Sequence, residues 1–254
     1  AYWLKALPHS LLMCDMDAFV DDLYLPILKV WRIPSIVFGW HRYAVDVNRF
    51  QTDISSRTVE RAEELLKTLY KNKRLGQKSA SDIHWHKTTK GHLLIKKAIE
   101  QKTHKQLIKK YFNSFHDQVG RQFEKLRQAG HKTVYLIDLH SMPSKGLAFH
   151  RDRGCFREDI VIGNNRGKSC SKQLTDLVVQ AYRQMGFKVS LNWPYKGGAI
   201  TCVYGQPQRG QEVLQVEINR KLYMDEKTKK KNKNYKNIQI KLGQAIQWIM
   251  RGLS

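Results

Sequence analysis

Two periodicities alternate along the chain. Short β-branched or aromatic runs predict strands at Ile36–Phe38, Thr133–Ile137, Asp159–Ile162, Lys188–Leu191, Ile200–Val203 and Leu214–Ile218. Longer segments with apolar residues at helical spacing predict helices over Asp17–Val30, Ser55–Tyr70, Lys90–Gln128, Ser171–Met185 and Asn237–Arg251. Strands that alternate with helices imply an α/β fold whose sheet is mixed and mostly parallel. No repeat, Pro-rich linker or Gly/Ser tract marks a boundary, so the 254 residues read as a single domain, 1–254. Lys71–Thr89 is polar and short of large aliphatics, which predicts a surface excursion. The densest basic run, KTKKKNKNYK at Lys227–Lys236, predicts a basic surface loop ahead of the last helix.

Composition narrows the class. A hydrophobic share of 41% is ordinary for a globular chain and argues against disorder. This length buries a sizeable core without disulfide or metal staples. Four cysteines with no CxxC pair are too sparse for a disulfide framework or a cysteine-based zinc knuckle. No apolar run approaches the roughly 18 residues of a membrane span. Free thiols and the lack of a targeting segment favour the cytoplasm; a leader already removed would place the chain in the periplasm or outside the cell.

Charge changes the picture more. Lysine and arginine number 45 against 22 acidic residues, a net +23. Such an excess attracts polyanions, whether nucleic acid, anionic lipid head groups or acidic wall polymers, or it serves only as a soluble cationic surface.

Candidate chemistry collects at strand ends, where α/β sheets bind ligands. The apolar run Val134–Ile137 leads straight into Asp138, His140 and Ser141. A histidine there is placed to bind a metal, or it is a structural strand-end residue. Because neighbouring strand residues face opposite ways, Asp138 is not assumed to be its partner. Asp17 and Asp21, four apart, share a face if their segment is helical, and Asp17 in the first turn would suit the helix dipole with no further role. With His9 and His140, one such acid completes a His–carboxylate–His set of the kind that holds a catalytic zinc. Glu217 lies in the apolar strand Leu214–Ile218, where burial demands a partner; facing a metal site it suits a general base, and otherwise it pairs with Arg220 or another basic group. Arg42, Asp46, Asn48 and Arg49 form a compact polar set, and an arginine fork there would grip a carboxylate. Lys196–Gly197–Gly198 allows close backbone approach to a ligand, or makes a tight turn. No GxGxxG, GxxxxGK[ST] or GxSxG occurs, so nucleotide cradling and a serine elbow have no support.

These pieces follow one another in an order that carries a resemblance. PHS (Pro8–Ser10), DxDxxxDxLY (Asp15–Tyr24), RYxVDxNR (Arg42–Arg49) and FH (Phe115–His116) come first. DLHSMPS (Asp138–Ser144), DIVIG…GKSC (Asp159–Cys170), NWPYKGGxIT (Asn192–Thr201) and LQxEINRxLYMDE (Leu214–Glu226) follow. The chain resembles the N-formylglutamate amidohydrolase family over nearly its whole length. The resemblance implies a three-layer α/β/α fold similar to zinc carboxypeptidases and to aspartoacylase and succinylglutamate desuccinylase. It implies zinc-dependent hydrolysis of the amide of a small N-acyl amino acid, first of all N-formyl-L-glutamate, with one zinc ion per chain. His9 and His140 carry over as metal ligands. The related carboxypeptidases take a third ligand from a glutamate three residues after the first histidine; here that position is Leu12, so Asp17 substitutes, with Asp21 as competitor. Glu217 carries over as general base, Arg151 is the candidate to steady the oxyanion, and Asn48 and Arg49 look like the grip on a substrate carboxylate. Arg42, His116, Lys196, Gly197 and Arg220 complete the expected substrate contacts. Family members usually carry a glycine after PHS and a longer loop before the next helix, so either this loop is shortened or residues are missing between Ser10 and Leu11. Two rivals remain: a zinc amidase acting on a larger anionic substrate such as a peptidoglycan peptide, and a non-enzymatic polyanion binder on the same scaffold.

Overall fold

The computed structural model describes residues 4–5, 7–69 and 81–253. They gather into two compact units: Ala1–Met16 with Phe38–Glu124, and Asp17–Val37 with Lys125–Ser254.

The first unit is helical and irregular. It contains α1 (His9–Leu12), α3 (Ala62–Leu69), α4 (Gln101–Leu107) and α5 (Ser114–Gln128), which belongs to this unit as far as Glu124. A π-helical stretch, Ile108–Asn113, joins α4 to α5. One core cluster gathers Val45, Val47, Ile54, Val59, Leu65, Ile83 and Phe112; a second gathers Tyr43, Trp85, Leu94, Ile95 and Ile99. Burying these side chains, each stabilising by roughly 1.5–3 kcal/mol, holds loops that have few ladder bonds of their own.

The second unit carries the sheet. Its elements are α2 (Val20–Val30), β1 (Val134–Met142), β2 (Ile160–Gly163), α6 (Lys172–Gln184), β3 (Val189–Leu191), α7 (Ala199–Tyr204), β4 (Gln211–Asn219) and α8 (Tyr235–Leu253). The strand order is β1-β4-β2-β3. β1 runs parallel to β4 and β2 parallel to β3, while β2 and β4 are antiparallel. The fold is therefore α/β with a mixed, mostly parallel sheet. β4 is central, and Val213, Leu214, Val216 and Ile218 are fully buried, as befits a strand covered on both faces. α2 packs on β1, α6 on β2 and β3, α7 on β4, and α8 on α2 and α6.

Several expected elements move. Ile200–Val203 is helix α7, not strand: Ala199, Ile200 and Thr201 are buried and α7 lies on β4, so packing overrides β propensity. Ile36–Phe38 enters no ladder; Val37 is exposed, and Phe38 packs edge-on to Phe115. α2 starts at Val20, because Phe19 has left-handed backbone (φ 64°), which leaves Asp17 ahead of the helix. Helix begins only at Gln101 in the Lys90–Gln128 segment and at Ala62 in Ser55–Tyr70, whose Tyr70 lies outside the described residues. Of the expected surface excursion Lys71–Thr89, residues 71–80 also lie outside them. Its remainder is no excursion, since Ile83, His84, Trp85 and Thr88 are buried. In the basic segment the lysines are exposed or half-buried, and Asp225 accepts backbone N–H bonds from Lys227 and Thr228 to close the turn before α8. Among the described residues no helix is long and apolar enough to cross a membrane.

Candidate active site

In parallel strands, residues in register point to the same face, and residues two apart along a strand do so as well. Asp138 and His140 on β1 stand opposite Gln215 and Glu217 on β4. Four polar side chains thus share one face in the carboxyl-terminal halves of β1 and β4.

His140 is the most constrained of them. Its Nε2 lies 3.0 Å from Asp138 Oδ2 and its Nδ1 3.0 Å from Asp17 Oδ2, with the side chain only 12% exposed. Adjacent strand residues do face apart, but Asp138 and His140 are two apart, and the structure pairs them. Burial opposes the charged imidazole, yet the carboxylates of Asp138 and Asp17 outweigh it and hold the pKa well above the ordinary value. Asp17 is itself pinned: its Oδ1 accepts from the Ser141 backbone N–H at 2.8 Å and from Ser141 Oγ at 3.3 Å. Arg220 is buried and donates to Ser141 Oγ and the Ser141 carbonyl at 3.0 and 3.1 Å, with Asp17 Oδ1 3.9 Å away. These contacts make it a brace for Asp17. Asp21 is exposed in the first turn of α2.

Glu217 is buried, 7% exposed. Gln215 Nε2 donates to its Oε1 at 2.7 Å, and the Gly198 N–H donates to Gln215 Oε1 at 2.9 Å. Gly198 of the glycine pair therefore orients Glu217 through Gln215. Gly197 has φ 110°, and a Cβ on Gly163 would meet Gly197 N at 2.5 Å, so β2 and the Lys196–Gly198 turn approach closer than side chains allow. Arg157 and Tyr195 also feel Glu217. Arg157 is buried, paired with Asp152 through Nε–Oδ2 (2.6 Å) and Nη2–Oδ1 (2.8 Å), and its guanidinium lies 4.9 Å from the Tyr195 ring centre. Burial, then the charge of Glu217, pushes the Tyr195 phenol far up, while Arg157 pulls it down. Arg151, on the same β1–β2 loop, is exposed.

The first unit holds the other expected residues. Asp46 is buried at the centre of the Arg42–Arg49 segment. Its Oδ1 accepts the Asn48 backbone N–H and its Oδ2 the Trp85 Nε1–H, both at 2.9 Å. The guanidinium carbons of Arg42 and Arg49 lie 5.8 and 5.5 Å from the Trp85 ring centre. Burial raises the Asp46 carboxyl, but Arg49, Arg42, the Asn48 N–H and the indole together bring it below its ordinary value. His116 is half-buried, its ring centre 4.1 Å from that of Phe112 and tilted by 38°, with Nε2 3.0 Å from the Val47 carbonyl. That contact braces the backbone beside Asn48. His9 is exposed on α1.

A family model described as N-formylglutamate amidohydrolase matches residues 4–224. The chain belongs to the N-formylglutamate amidohydrolase family. It is 25% identical to an N-formylglutamate deformylase of Pseudomonas putida over an alignment that covers 88% of this chain and 82% of that protein. A shorter stretch of 69 residues is 38% identical to the N-formylglutamate deformylase of Pseudomonas aeruginosa, covering 27% of this chain and 26% of that one. The crystal structure of an N-formylglutamate amidohydrolase from Ralstonia eutropha JMP134 superposes with a TM-score of 0.78 at 23% identity, over 98% of this chain and 88% of that one. That likeness shows the fold.

Among the described residues no group of three or more His, Cys, Asp and Glu side chains is arranged to hold a metal ion. Carboxylate oxygen and imidazole nitrogen are donor types that zinc accepts, but here both nitrogens of His140 are engaged, Nδ1 by Asp17 and Nε2 by Asp138, so a zinc ion would have to replace one of these contacts. Sequence reasoning missed Asp138 as a partner of His140, and it missed Gln215, Arg157 and Asp152 altogether. The two-residue spacing in Asp138–His140 and Gln215–Glu217 is the available signal. Arg157 and Asp152 sit in an irregular loop that carries no periodicity.

Proposed function

We propose that this chain hydrolyses the amide of an N-acyl amino acid, N-formyl-L-glutamate first, to formate and glutamate. The observation that carries the reading is a buried glutamate, Glu217, opposite His140 on one sheet face and oriented by Gln215, in a chain of this family. The metal donors that the resemblance implies are His9, Asp17 and His140. A zinc ion, when bound, supplies Lewis-acid polarisation of the acyl carbonyl and of water.

Glu217 takes a proton from the attacking water as the water oxygen bonds to the formyl carbon. The carbon–nitrogen bond then breaks, and Glu217 returns that proton to the departing amine nitrogen. Arg157, charged and fixed by Asp152, keeps positive potential beside Glu217. Asn48 and Arg49, with Arg42, hold the substrate carboxylate and so set its orientation.

The test is a panel assay of zinc-loaded protein on N-formyl, N-acetyl and N-succinyl amino acids and on muropeptides. Fastest turnover of N-formyl-L-glutamate supports the reading. Turnover of muropeptides alone transfers it to a larger anionic substrate, and hydrolysis of none refutes it.

A further inference from the structure

Asp46 has an unusual division of labour. Both of its oxygens are taken by neutral donors, the Asn48 N–H and the Trp85 indole N–H. The two guanidinium groups beside it stand farther off, Arg49 Nη2 at 3.6 Å and Arg42 Nε at 4.0 Å from Oδ2. Those separations exceed hydrogen bonds yet remain within ion-pair range. Asp46 thus restrains both arginines by charge while leaving their N–H groups to other acceptors. Trp85 adds a flat surface within cation–π range of both, and its own tilt is locked by Asp46.

Arg49 shows the consequence. Its Nη1 donates to the Asn48 carbonyl at 2.9 Å, but its Nε is buried with no hydrogen-bond partner among the described residues. A buried N–H without an acceptor is rare and calls for an explanation. The Nε edge of a guanidinium is one of the two that match a carboxylate.

We infer that Asp46 and Trp85 are positioning residues for carboxylate recognition, holding Arg49 so that its Nε–H is offered to a carboxylate of the ligand. The inference rests on the assignment of Arg49 to the substrate's carboxylate under the proposed function. It adds that affinity for the carboxylate, not the chemical step, depends on a buried acid and an indole that touch no substrate.

The test uses the full chain with Asp46→Asn and Trp85→Phe. The latter keeps a ring but lacks the indole N–H, and it stays informative if Asp46→Asn fails to fold. Thermal melts identify folded variants. On N-formyl-L-glutamate, KM should rise about tenfold or more with kcat within about twofold, the signature of lost uniform binding. On the uncharged diamide of the same substrate, kcat/KM should equal that of the parent protein. Calorimetric titration with L-glutamate reads the same grip without turnover, and Kd should weaken about tenfold. Folded variants with unchanged KM and unchanged glutamate affinity, or with a fall in kcat alone, would overturn the inference. A parent protein that binds glutamate through these residues but hydrolyses nothing would refute the proposed function and leave the inference standing.

Discussion

Gln215 donates its side-chain N–H to Glu217 Oε1 over 2.7 Å, two positions along the same face of β4. The Gly198 N–H holds the other end of that amide at 2.9 Å. A neutral side chain thus fixes the carboxylate assigned as general base without competing for protons. Gln215→Leu removes both bonds at nearly the same volume. Steady-state kinetics on N-formyl-L-glutamate should show kcat about 10- to 100-fold lower with KM within about twofold, the range typical of groups that orient a catalytic residue. A variant with normal kcat would mean that Glu217 needs no such orientation.

Asp152 and Arg157 form a buried, two-point ion pair. Asp152→Ala leaves the guanidinium buried without its counter-charge, which costs about 3–5 kcal/mol in comparable pairs. Replacing both partners with apolar residues costs much less, because no charge is then stranded. Urea unfolding of Asp152→Ala and of the double variant Asp152→Leu/Arg157→Met should rank them in that order, with the double variant the more stable. The reverse order would mean that the pair is solvated.

His84 and His104 form a buried pair, His84 Nε2 to His104 Nδ1 at 2.9 Å. His84 Nδ1 faces the Ala44 carbonyl and so carries the hydrogen of the neutral ring. Nε2 is then the acceptor, and His104 donates. Burial brings the pKa of His84 down to about 4, and burial with the charges of His84 and Lys105 does the same for His104. Below the ordinary value near 6.5 the unfolded chain takes up protons that the folded chain refuses. Stability is therefore fully present at neutral pH and is lost as pH falls from about 6.5 towards about 4. Urea midpoints should drop over that interval, and His104→Gln, which keeps a donor to His84 but does not titrate, should show a shallower drop. Equal slopes would exclude the pair as the source.

β2 and the apolar parts of β1 and β4 are legible in the sequence as short β-branched runs, although β1 and β4 extend to nine residues each and carry polar residues inside the strand; α6 and α8 are legible because their apolar positions repeat at helical spacing. Asp17 and Glu217 stand out as acids next to apolar runs. Other features depend on partners distant in sequence. Ile200–Val203 has the composition of a strand, yet packing of α7 on β4 makes it a helix. Trp85 reads as part of a polar excursion because its partners Tyr43 and Asp46 lie some forty positions away. His140 and Asp138 need only the two-residue strand period, whereas Asp17 reaches His140 from an irregular turn before α2 that no period describes.

Formate release from N-formyl-L-glutamate by Glu217→Gln, set beside the parent protein at equal zinc content, bears most directly on the assignment of Glu217 as general base. The substituted amide would keep the volume and one acceptor oxygen but could not carry the water proton. The expected result is a folded, metal-binding protein whose turnover falls by about 10²–10⁴-fold, the contribution usual for a general base. Near-normal formate release by that variant would contradict it.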